Sequence, residues 1–274
     1  MDVLFITPGN SKGIYQDLAT TYAAIEPPTW ALLLAQSCRS VGFEVGICDV
    51  NAEQLDAEDV LQRVKKLNPR LICFVVYGQN VNAGTVNMSG SVYVSNHLKA
   101  NNIKTPIAYV GSHVQALPIR ALKDEPSIDF CFTNEGVYAL RNILSLDKID
   151  VNDLEGIKGI AWRKNGVPTF NTSEKVVPRD KMDTDLPGYA WDLLPYKERP
   201  LDLYRAPMWH AEYDETKRSP YAAIQTSLGC QFGCNFCMIN ILNRNDEEEI
   251  GVAGNYSLMR HWSPEFIINE FDKL

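Results

Sequence analysis

Leu71-Ile-Cys-Phe-Val-Val76 is the stretch of sequence that decides the fold class, because it is a short and unbroken apolar run. Such a run is typical of a strand that is buried on both faces of a parallel sheet. The other predicted strands cover residues 3–7, 43–49, 106–111 and 128–132. Between them, apolar residues at helical spacing predict helices from Pro27 to before Gly42, over 57–67, around 92–100 and over about 135–146.

This alternation predicts a parallel sheet with helices on both faces, which is a Rossmann-like, doubly wound α/β fold. Ligands of such sheets bind beyond the carboxyl ends of the strands, so the loops 7–13, 77–83, 111–117 and 133–136 are candidate ligand-binding loops. None of these loops carries the G-x-G-x-x-G pattern of dinucleotide sites. The G-x-x-x-x-G-K-[ST] pattern of NTPases is also absent from the sequence.

Composition excludes some classes of partner. The chain has 274 residues and a formal net charge of −8, which argues against nucleic acid, because phosphate binding relies on clustered Lys and Arg. Hydrophobic residues make up 45% of the chain, as in a globular protein with a real core. No apolar stretch reaches the roughly 18 residues that span a bilayer, and no signal peptide opens the sequence. We therefore expect a cytoplasmic protein without a membrane span.

A second informative stretch runs from Cys230 through Cys234 to Cys237, with the spacing C-x3-C-x2-C. Three thiolates on one loop can hold three irons of a [4Fe–4S] cluster, which is normally held by four cysteines, and leave the fourth iron open. A zinc site is the alternative, with His261 or His210 as the fourth ligand, although two C-x2-C pairs are more usual. Disulfides are disfavoured by the odd number of cysteines and the lack of a secretory segment.

The remaining cysteines lie inside apolar runs of the first half of the chain. Cysteine in such a position behaves as a small buried hydrophobe. The sequence therefore assigns a packing role to Cys38, Cys48, Cys73 and Cys131.

The cysteine spacing, with Phe236 directly before the last cysteine, resembles the radical SAM superfamily. In that family the open iron chelates S-adenosylmethionine, and an electron from the cluster breaks a C–S bond of the sulfonium homolytically. The resemblance implies that Cys230, Cys234 and Cys237 hold a [4Fe–4S] cluster, and that Phe236 contacts S-adenosylmethionine near its adenine. It also implies an electron donor such as flavodoxin or ferredoxin.

A second resemblance covers residues 1–145. Pro27-Pro-Thr-Trp-Ala-Leu-Leu-Leu-Ala35 is similar to the opening of the cobalamin-binding domains found ahead of radical SAM barrels. Gly111-Ser-His-Val-Gln-Ala-Leu-Pro118 resembles the G-G-x-H-x-t-x-x-P loop of that family, and Thr133-Asn-Glu-Gly-Val137 resembles its G-E-G-E turn. The chain departs from these patterns at Ser112, Asn134 and Val137.

Cobalamin contacts are assigned by this second resemblance. They are expected from Thr7, Tyr77, Gln79, Gly111, Ser112, His113, Glu135 and Gly136. Structural roles remain open for some of them: His113 can bond a loop backbone, and Glu135 and Gly136 can start a helix, where an acid suits the dipole. At Gly111 a bulky residue is expected to block the corrin while leaving the fold largely intact. The D-x-H-x-x-G motif is absent, so the nucleotide tail of cobalamin is expected to be displaced into the sheet edge.

The second half of the chain divides into a connector and a partial barrel. Asn165-Gly166 between alternating segments predicts a type I′ hairpin over 159–170, and the aromatic-rich linker 185–195 is expected to pack between domains. Residues 221–226 are predicted to be the first strand of a radical SAM barrel, and 263–271 a helix capped by Ser263. A complete (β/α)8 barrel needs about 250 residues, so we expect the chain to be an N-terminal part. The predicted domains are 1–145, 146–220 and 221–274.

The resemblances imply a cobalamin-dependent radical SAM enzyme. The reaction expected is methyl transfer to an unactivated carbon of a small-molecule or natural-product-like substrate, and the sequence singles out no catalytic side chain. The cofactors expected are the [4Fe–4S] cluster, S-adenosylmethionine and cobalamin. The alternative is a non-catalytic cobalamin-binding module in which the cysteine loop is a structural zinc site.

Overall fold

One seven-stranded sheet organises the part of the chain that the computed structural model describes. The described residues are 1–9, 24–77, 81–196, 204, 221–232, 234, 237, 239, 244 and 258–274. The strands are β1 (Val3–Thr7), β2 (Val45–Asp49), β3 (Leu71–Val76), β4 (Ile107–Gly111), β5 (Phe130–Phe132), β6 (Ile160–Lys164) and β7 (Val167–Phe170). Their order across the sheet is β2-β1-β3-β4-β5-β6-β7, and the first five are parallel.

Helices cover both faces of this sheet. They are α1 (Thr29–Arg39), α2 (Ala57–Leu67), α3 (Val81–Ala100), α4 (Ser112–Ala116), α5 (Pro118–Asp124) and α6 (Val137–Leu144). One apolar core holds Leu33 of α1 and Leu140 of α6, and a second core on the other face holds Leu61 of α2 and Leu98 of α3. The predicted Rossmann-like, doubly wound α/β fold is therefore confirmed. Within the described residues, no helix is both long and apolar enough to cross a membrane.

Local signals explain why the bounds of α2 and β3 agree with the sequence-based prediction. The side chain of Asp56 accepts a bond from the Asp59 backbone N–H, and the Asp59 side chain accepts one in return, which forms a capping box. Asn68 ends the helix in the left-handed conformation at φ 44°. Leu71–Val76 is buried along its whole length, as a central parallel strand should be.

The hairpin β6-β7 is an extension of the sheet. Asn165 and Gly166 both have positive φ, at 52° and 81°, which confirms the predicted type I′ turn. β6 pairs antiparallel with β5, with Phe132 opposite Ile160. The hairpin, which was assigned to the connector, thus continues the sheet of the first domain, and the domain boundaries themselves stay a prediction.

The connector packs on the outer face of α1. The Ala190 backbone N–H donates to Leu32 O at 3.3 Å, and the Ser37 hydroxyl donates to Asp185 O at 2.7 Å. Trp191 lies in the same apolar core as α1, so the expected packing of the linker is confirmed. Because the sheet covers one side of α1 and the connector the other, this helix is apolar almost all round.

The last described segments are a two-strand ribbon and a helix. β8 (Ser227–Leu228) pairs antiparallel with β9 (Arg260–His261), and α7 (Pro264–Asp272) follows. Ser263 caps α7 by accepting from the Phe266 N–H at 3.1 Å, as predicted. The strand predicted over residues 221–226 is wrong, because these residues form no ladder with another described segment. The Gln225 N–H instead donates to the Tyr189 hydroxyl at 2.7 Å.

Candidate functional site

The carboxyl ends of β1 and β3 form the point where the strand order reverses, because β2 lies on one side of β1 and β3 on the other. Ligands of open α/β sheets bind in the crevice at such a point. Thr7 ends β1 and Tyr77 directly follows β3. Gly111 ends β4 and pairs in register with Val76. The fold therefore brings Thr7, Tyr77 and Gly111 to one edge, while Gln79 lies outside the described residues.

Gly111 is in contact with the backbone of β3. Its φ is 153°, and a Cβ atom at this position would lie 2.2 Å from Val76 O and 2.6 Å from Val76 C. A side chain would therefore collide with the neighbouring strand before it reached a ligand. The expectation that Gly111 can be replaced without harm to the fold is wrong for this reason.

Ser112, which replaces a glycine of the resembled loop, is fully buried beside α3. A Cβ atom on Gly84 of α3 would lie 1.9 Å from Ser112 Oγ and 2.9 Å from Val76 O. The serine hydroxyl thus occupies space that is available only because position 84 has no side chain. This packing explains the departure at Ser112 from the family pattern, and its cobalamin contact stays a prediction.

Tyr77 belongs to a network of buried polar side chains at the same edge. The Gln115 amide group donates to the Tyr77 hydroxyl at 2.6 Å and also to Asn134 O. The ring of Tyr77 packs against Trp30, with ring centroids 5.5 Å apart, and burial raises the pKa of the Tyr77 hydroxyl. Gln115 Oε1 is buried and accepts no hydrogen bond from the described residues. The network therefore leaves one buried acceptor for a donor group of a ligand.

His113 lies on α4 beside the start of α3. Its Nδ1 is 3.4 Å from the Thr85 hydroxyl oxygen, and burial lowers the pKa of the imidazole below its ordinary value. The ring lines a cleft of about 550 Å³ between α3 and α5, together with Tyr93 and Asp124. The structure therefore gives His113 a side-chain partner in place of the loop backbone contact that the sequence left open, and its contact with cobalamin stays a prediction.

Glu135 and Gly136 lie in the turn after β5. Gly136 has φ 81° and caps α6, which begins at Val137, two residues later than predicted. The Glu135 carboxylate accepts from the Val177 N–H and from the guanidinium of Arg260. Its buried charge is therefore paired with a cation, and its role at the helix dipole stays a prediction.

Some residues of this edge could not be assigned from the sequence. Arg244 is 1% exposed and its guanidinium donates to Gln115 O at 3.0 Å. Gln115 and Asn134 fell within the quoted motifs, yet no spacing rule singles out an amide as a network member. Arg244 and Arg260 lie more than 100 residues further along the chain than their partners Gln115 and Glu135. Only the tertiary fold reveals such pairings.

Asp49, at the carboxyl end of β2, forms a buried contact with Tyr204. The Tyr204 hydroxyl donates to Asp49 Oδ2 at 2.9 Å, and the Ala52 N–H donates to Oδ1 at 3.2 Å. Burial nevertheless dominates and raises the pKa of the Asp49 carboxyl to about 6. Tyr204 is 2% exposed, so this contact attaches the connector to the end of the sheet beside Thr7.

The substitution Asp49→Asn tests this burial. With a pKa of about 6 in the folded chain and about 3.9 in the unfolded chain, the folded state binds more protons between these values. The free energy of unfolding therefore falls as pH rises through this window. Asp49→Asn should remove that fall and stabilise the chain at pH 7 by up to about 3 kcal/mol. Urea denaturation from pH 4 to pH 7 measures it, with the exposed Asp147→Asn as control. A difference between variant and wild type that is constant with pH would contradict the assignment.

The three cysteines of the C-x3-C-x2-C loop differ from the other four. Cys234 is exposed and Cys230 and Cys237 are partly exposed, whereas Cys38, Cys48, Cys73 and Cys131 are buried as predicted. Burial raises the pKa of Cys38 to about 12, so this thiol stays protonated and cannot ligate a metal readily. In the loop, the Phe232 N–H donates to Cys230 Sγ at 3.5 Å. Hydrogen bonds of this kind to sulfur tune iron–sulfur clusters.

The side chains of the cysteine loop and of the carboxyl edge of the sheet fit the cofactors that the sequence implies. The cysteine loop has three accessible thiols, although the described residues contain no group of three or more His, Cys, Asp or Glu that is gathered around a metal position. The sheet edge has a buried amide acceptor in Gln115 and the hydroxyl of Tyr77, and the rim of cobalamin carries amide groups that can pair with both. Phe236 lies outside the described residues.

The first half of the chain is similar to a known domain. Residues 15–144 match the family model described as the B12 binding domain. The chain is 26% identical over 238 residues to an uncharacterized methyltransferase, PH0819, of Pyrococcus horikoshii, a match that covers 86% of this chain and 45% of that protein.

Two solved structures share the fold. The cobalamin-dependent S-adenosylmethionine radical enzyme OxsB, with aqua-cobalamin and S-adenosylmethionine bound, matches with a TM-score of 0.64 and 15% identity over 99% of this chain and 31% of its own. The radical S-adenosylmethionine methyltransferase TsrM of Kitasatospora setae, with tryptophan substrate and a SAM analog bound, matches with a TM-score of 0.60 and 16% identity over 99% of this chain and 45% of its own. The chain spans less than half the length of each of these relatives. Residues 15–144 are therefore similar to B12-binding domains, as the sequence resemblance implied, and the chain shares its fold with these two solved structures.

Proposed function

We propose that this chain is part of a cobalamin-dependent radical SAM enzyme that transfers a methyl group to an unactivated carbon of a small molecule. The observation that carries the proposal is the presence, in one chain, of a B12-binding domain and a C-x3-C-x2-C loop. The similarity to the Pyrococcus horikoshii methyltransferase supports methyl transfer, and the cobalamin and S-adenosylmethionine of OxsB and the SAM analog of TsrM support the cofactor set.

Each group of residues has a separate task in this proposal. Cys230, Cys234 and Cys237 would hold the [4Fe–4S] cluster, and Phe236 would support S-adenosylmethionine. Thr7, Gln79, Gly111, Ser112, His113 and Gly136 would line the cobalamin site together with the Tyr77–Gln115 network. When bound, these cofactors supply radical generation and a transferable methyl group, while the protein orients them. Glu135 would act through Arg260 rather than touch the corrin, and a flavodoxin or ferredoxin would deliver electrons.

Iron loading tests the cluster assignment. Anaerobic reconstitution of the chain with iron and sulfide should give about four irons per chain, because three cysteines suffice to hold a cluster with one open iron. Cys234→Ala should reduce the iron content to near zero, since two thiolates cannot retain the cluster. The measurement is iron and sulfide content after desalting, together with the visible absorbance of the cluster.

The matched control is Cys131→Ala, which removes a thiol that is buried in the sheet. It should keep the full iron content, because Cys131 is buried in one apolar core, whereas Leu228 at the start of the loop packs against the other. Zinc in place of iron, at about one atom per chain, would support the alternative of a structural zinc site. Equal iron loss in both variants would contradict the assignment of the loop.

A further inference from the structure

Glu135 and Arg260 form a buried ion pair with two points of attachment. Arg260 Nη2 lies 2.8 Å from Glu135 Oε2, and Arg260 Nη1 lies 3.3 Å from Glu135 Oε1. Both side chains are 4% exposed. Two parallel bonds between a guanidinium and a carboxylate fix the relative orientation of the groups as well as their distance. The pair therefore fixes how the segment of Glu135 and the segment of Arg260 are oriented relative to each other.

The Glu135–Arg260 pair and its neighbouring hydrogen bonds connect parts of the chain that are distant in sequence. Glu135 lies in the turn after β5, and its backbone oxygen accepts from the Trp30 indole N–H at 3.3 Å. Arg260 also donates to Val177 O at 2.6 Å, and the Val177 N–H donates to the Glu135 carboxylate. The sheet edge and the connector thus meet at Arg260 of β9, and helix α1 is attached to the same turn through Glu135 O.

β9 places the start of the cysteine loop. Leu228 of β8 pairs directly with Arg260, and Cys230 follows two residues after Leu228. A second contact of this region, from the Trp262 indole N–H to Leu186 O at 2.9 Å, reaches only the connector. In the described part of the chain, the Glu135–Arg260 pair is therefore the ion pair that links the ribbon to a turn at the carboxyl edge of the sheet.

From these contacts we infer that Glu135 and Arg260 are positioning residues, which set the cysteine loop against the carboxyl edge of the B12-binding domain. This inference rests on the proposed function, because it concerns the placement of two cofactor sites relative to each other. Hydrophobic packing alone would hold the ribbon on the sheet without fixing its angle. Buried ion pairs are retained in some proteins for such specificity even where they add little stability.

Hydrogen exchange of the chain, without any cofactor, tests whether the Glu135–Arg260 pair holds the β8-β9 ribbon in place. Glu135→Gln keeps the size of the side chain and its acceptor for the Val177 N–H, but leaves the buried guanidinium without its counter-charge. The amides of residues 227–230 and 260–262 should exchange about 100-fold faster in this variant, because breaking one side of a buried pair strongly destabilises its surroundings. Arg260→Lys should show a smaller increase in exchange rate, because the ammonium group keeps the charge opposite Glu135 but cannot make both bonds.

The control variant is Asp129→Asn, which weakens contacts at the opposite edge of the sheet, where Asp129 Oδ2 lies 2.7 Å from Lys99 Nζ. It should leave exchange in the ribbon unchanged. Unchanged exchange in the ribbon of Glu135→Gln would overturn the inference.

Electron paramagnetic resonance then separates positioning from simple stabilisation. With cob(II)alamin and the reduced cluster both bound, the dipolar interaction between their spins should be weaker and more heterogeneous in Glu135→Gln and Arg260→Lys than in wild type or Asp129→Asn, at equal cofactor content. A spectrum identical to that of wild type would overturn the positioning role. If wild type retains neither cofactor, the proposed function fails, while the exchange experiment still decides whether the pair holds the ribbon.

Discussion

The substitution Gly111→Ala is expected to destabilise the chain by about 4 kcal/mol or more, which is at the extreme of single substitutions. The added Cβ would lie 2.2 Å from Val76 O, at the last pair of the register between β3 and β4. Close packing on both faces of the sheet leaves the strands no room to separate without breaking this pairing. The φ of 153° adds strain for any residue other than glycine. The measurement is the urea midpoint of the purified chain, followed by circular dichroism.

The matched control for this effect is Gly156→Ala. A Cβ at Gly156 meets no atom within 4 Å, so this variant should unfold within about 0.5 kcal/mol of wild type. Wild-type stability of Gly111→Ala would show that β3 and β4 are not paired as described. It would then restore the simpler expectation that this glycine serves only the approach of a flat ligand.

The substitution Trp30→Ala is expected to have the second largest effect, a loss of about 3–5 kcal/mol. The Trp30 side chain is 7% exposed and contacts the ring of Tyr77 at a centroid distance of 5.5 Å. Its removal would leave a large cavity between α1 and the sheet edge, and Tyr77 would lose the surface that holds its ring. The loss should therefore appear both in the free energy of unfolding and in weaker retention of cobalamin.

Trp30→Phe is the matched variant for this site. It keeps a smaller buried aromatic ring and loses the indole N–H, which donates to Glu135 O at 3.3 Å. Its cost should be smaller than that of Trp30→Ala, about 1–2 kcal/mol for one hydrogen bond and the lost ring atoms. An equal loss of stability in Trp30→Phe and Trp30→Ala would show that the hydrogen bond, and not the packing of the ring, sustains this edge.

The sheet of the first half could be predicted from sequence because each strand carries its own signal. Leu71–Val76 is apolar on both faces, and a strand buried on both sides must be so. The turn at Asn165-Gly166 was equally local, since both residues need positive φ. The rule that an apolar run predicts a buried strand failed for residues 221–226. An apolar run shows that a segment is suited to burial, but a strand also needs a neighbour to pair with.

The chemical environment of the site residues could be predicted only in part. The described ends of β1, β3 and β4 lie at one edge, as predicted, because the fold class dictates which edge carries the carboxyl ends of the strands. Glu135 was assigned to a helix start or to the cofactor, and its partner Arg260 lies 125 residues away. The sequence explained the glycine at position 111 by the approach of a ligand, whereas the backbone of β3 is what excludes a side chain there. Both differences arise from contacts between distant segments, which local patterns do not encode.

The retention of cobalamin by the folded chain tests the central claim most directly. The chain is incubated with hydroxocobalamin and desalted, and the absorbance of the corrin is compared with the protein concentration. We predict about one corrin per chain, with a spectrum that shows the nucleotide tail displaced from cobalt, because the chain lacks the D-x-H-x-x-G motif and its sheet edge offers Tyr77 and Gln115 as polar partners. A cooperatively folded chain that retains no corrin would contradict the assignment of the carboxyl edge as a cobalamin site.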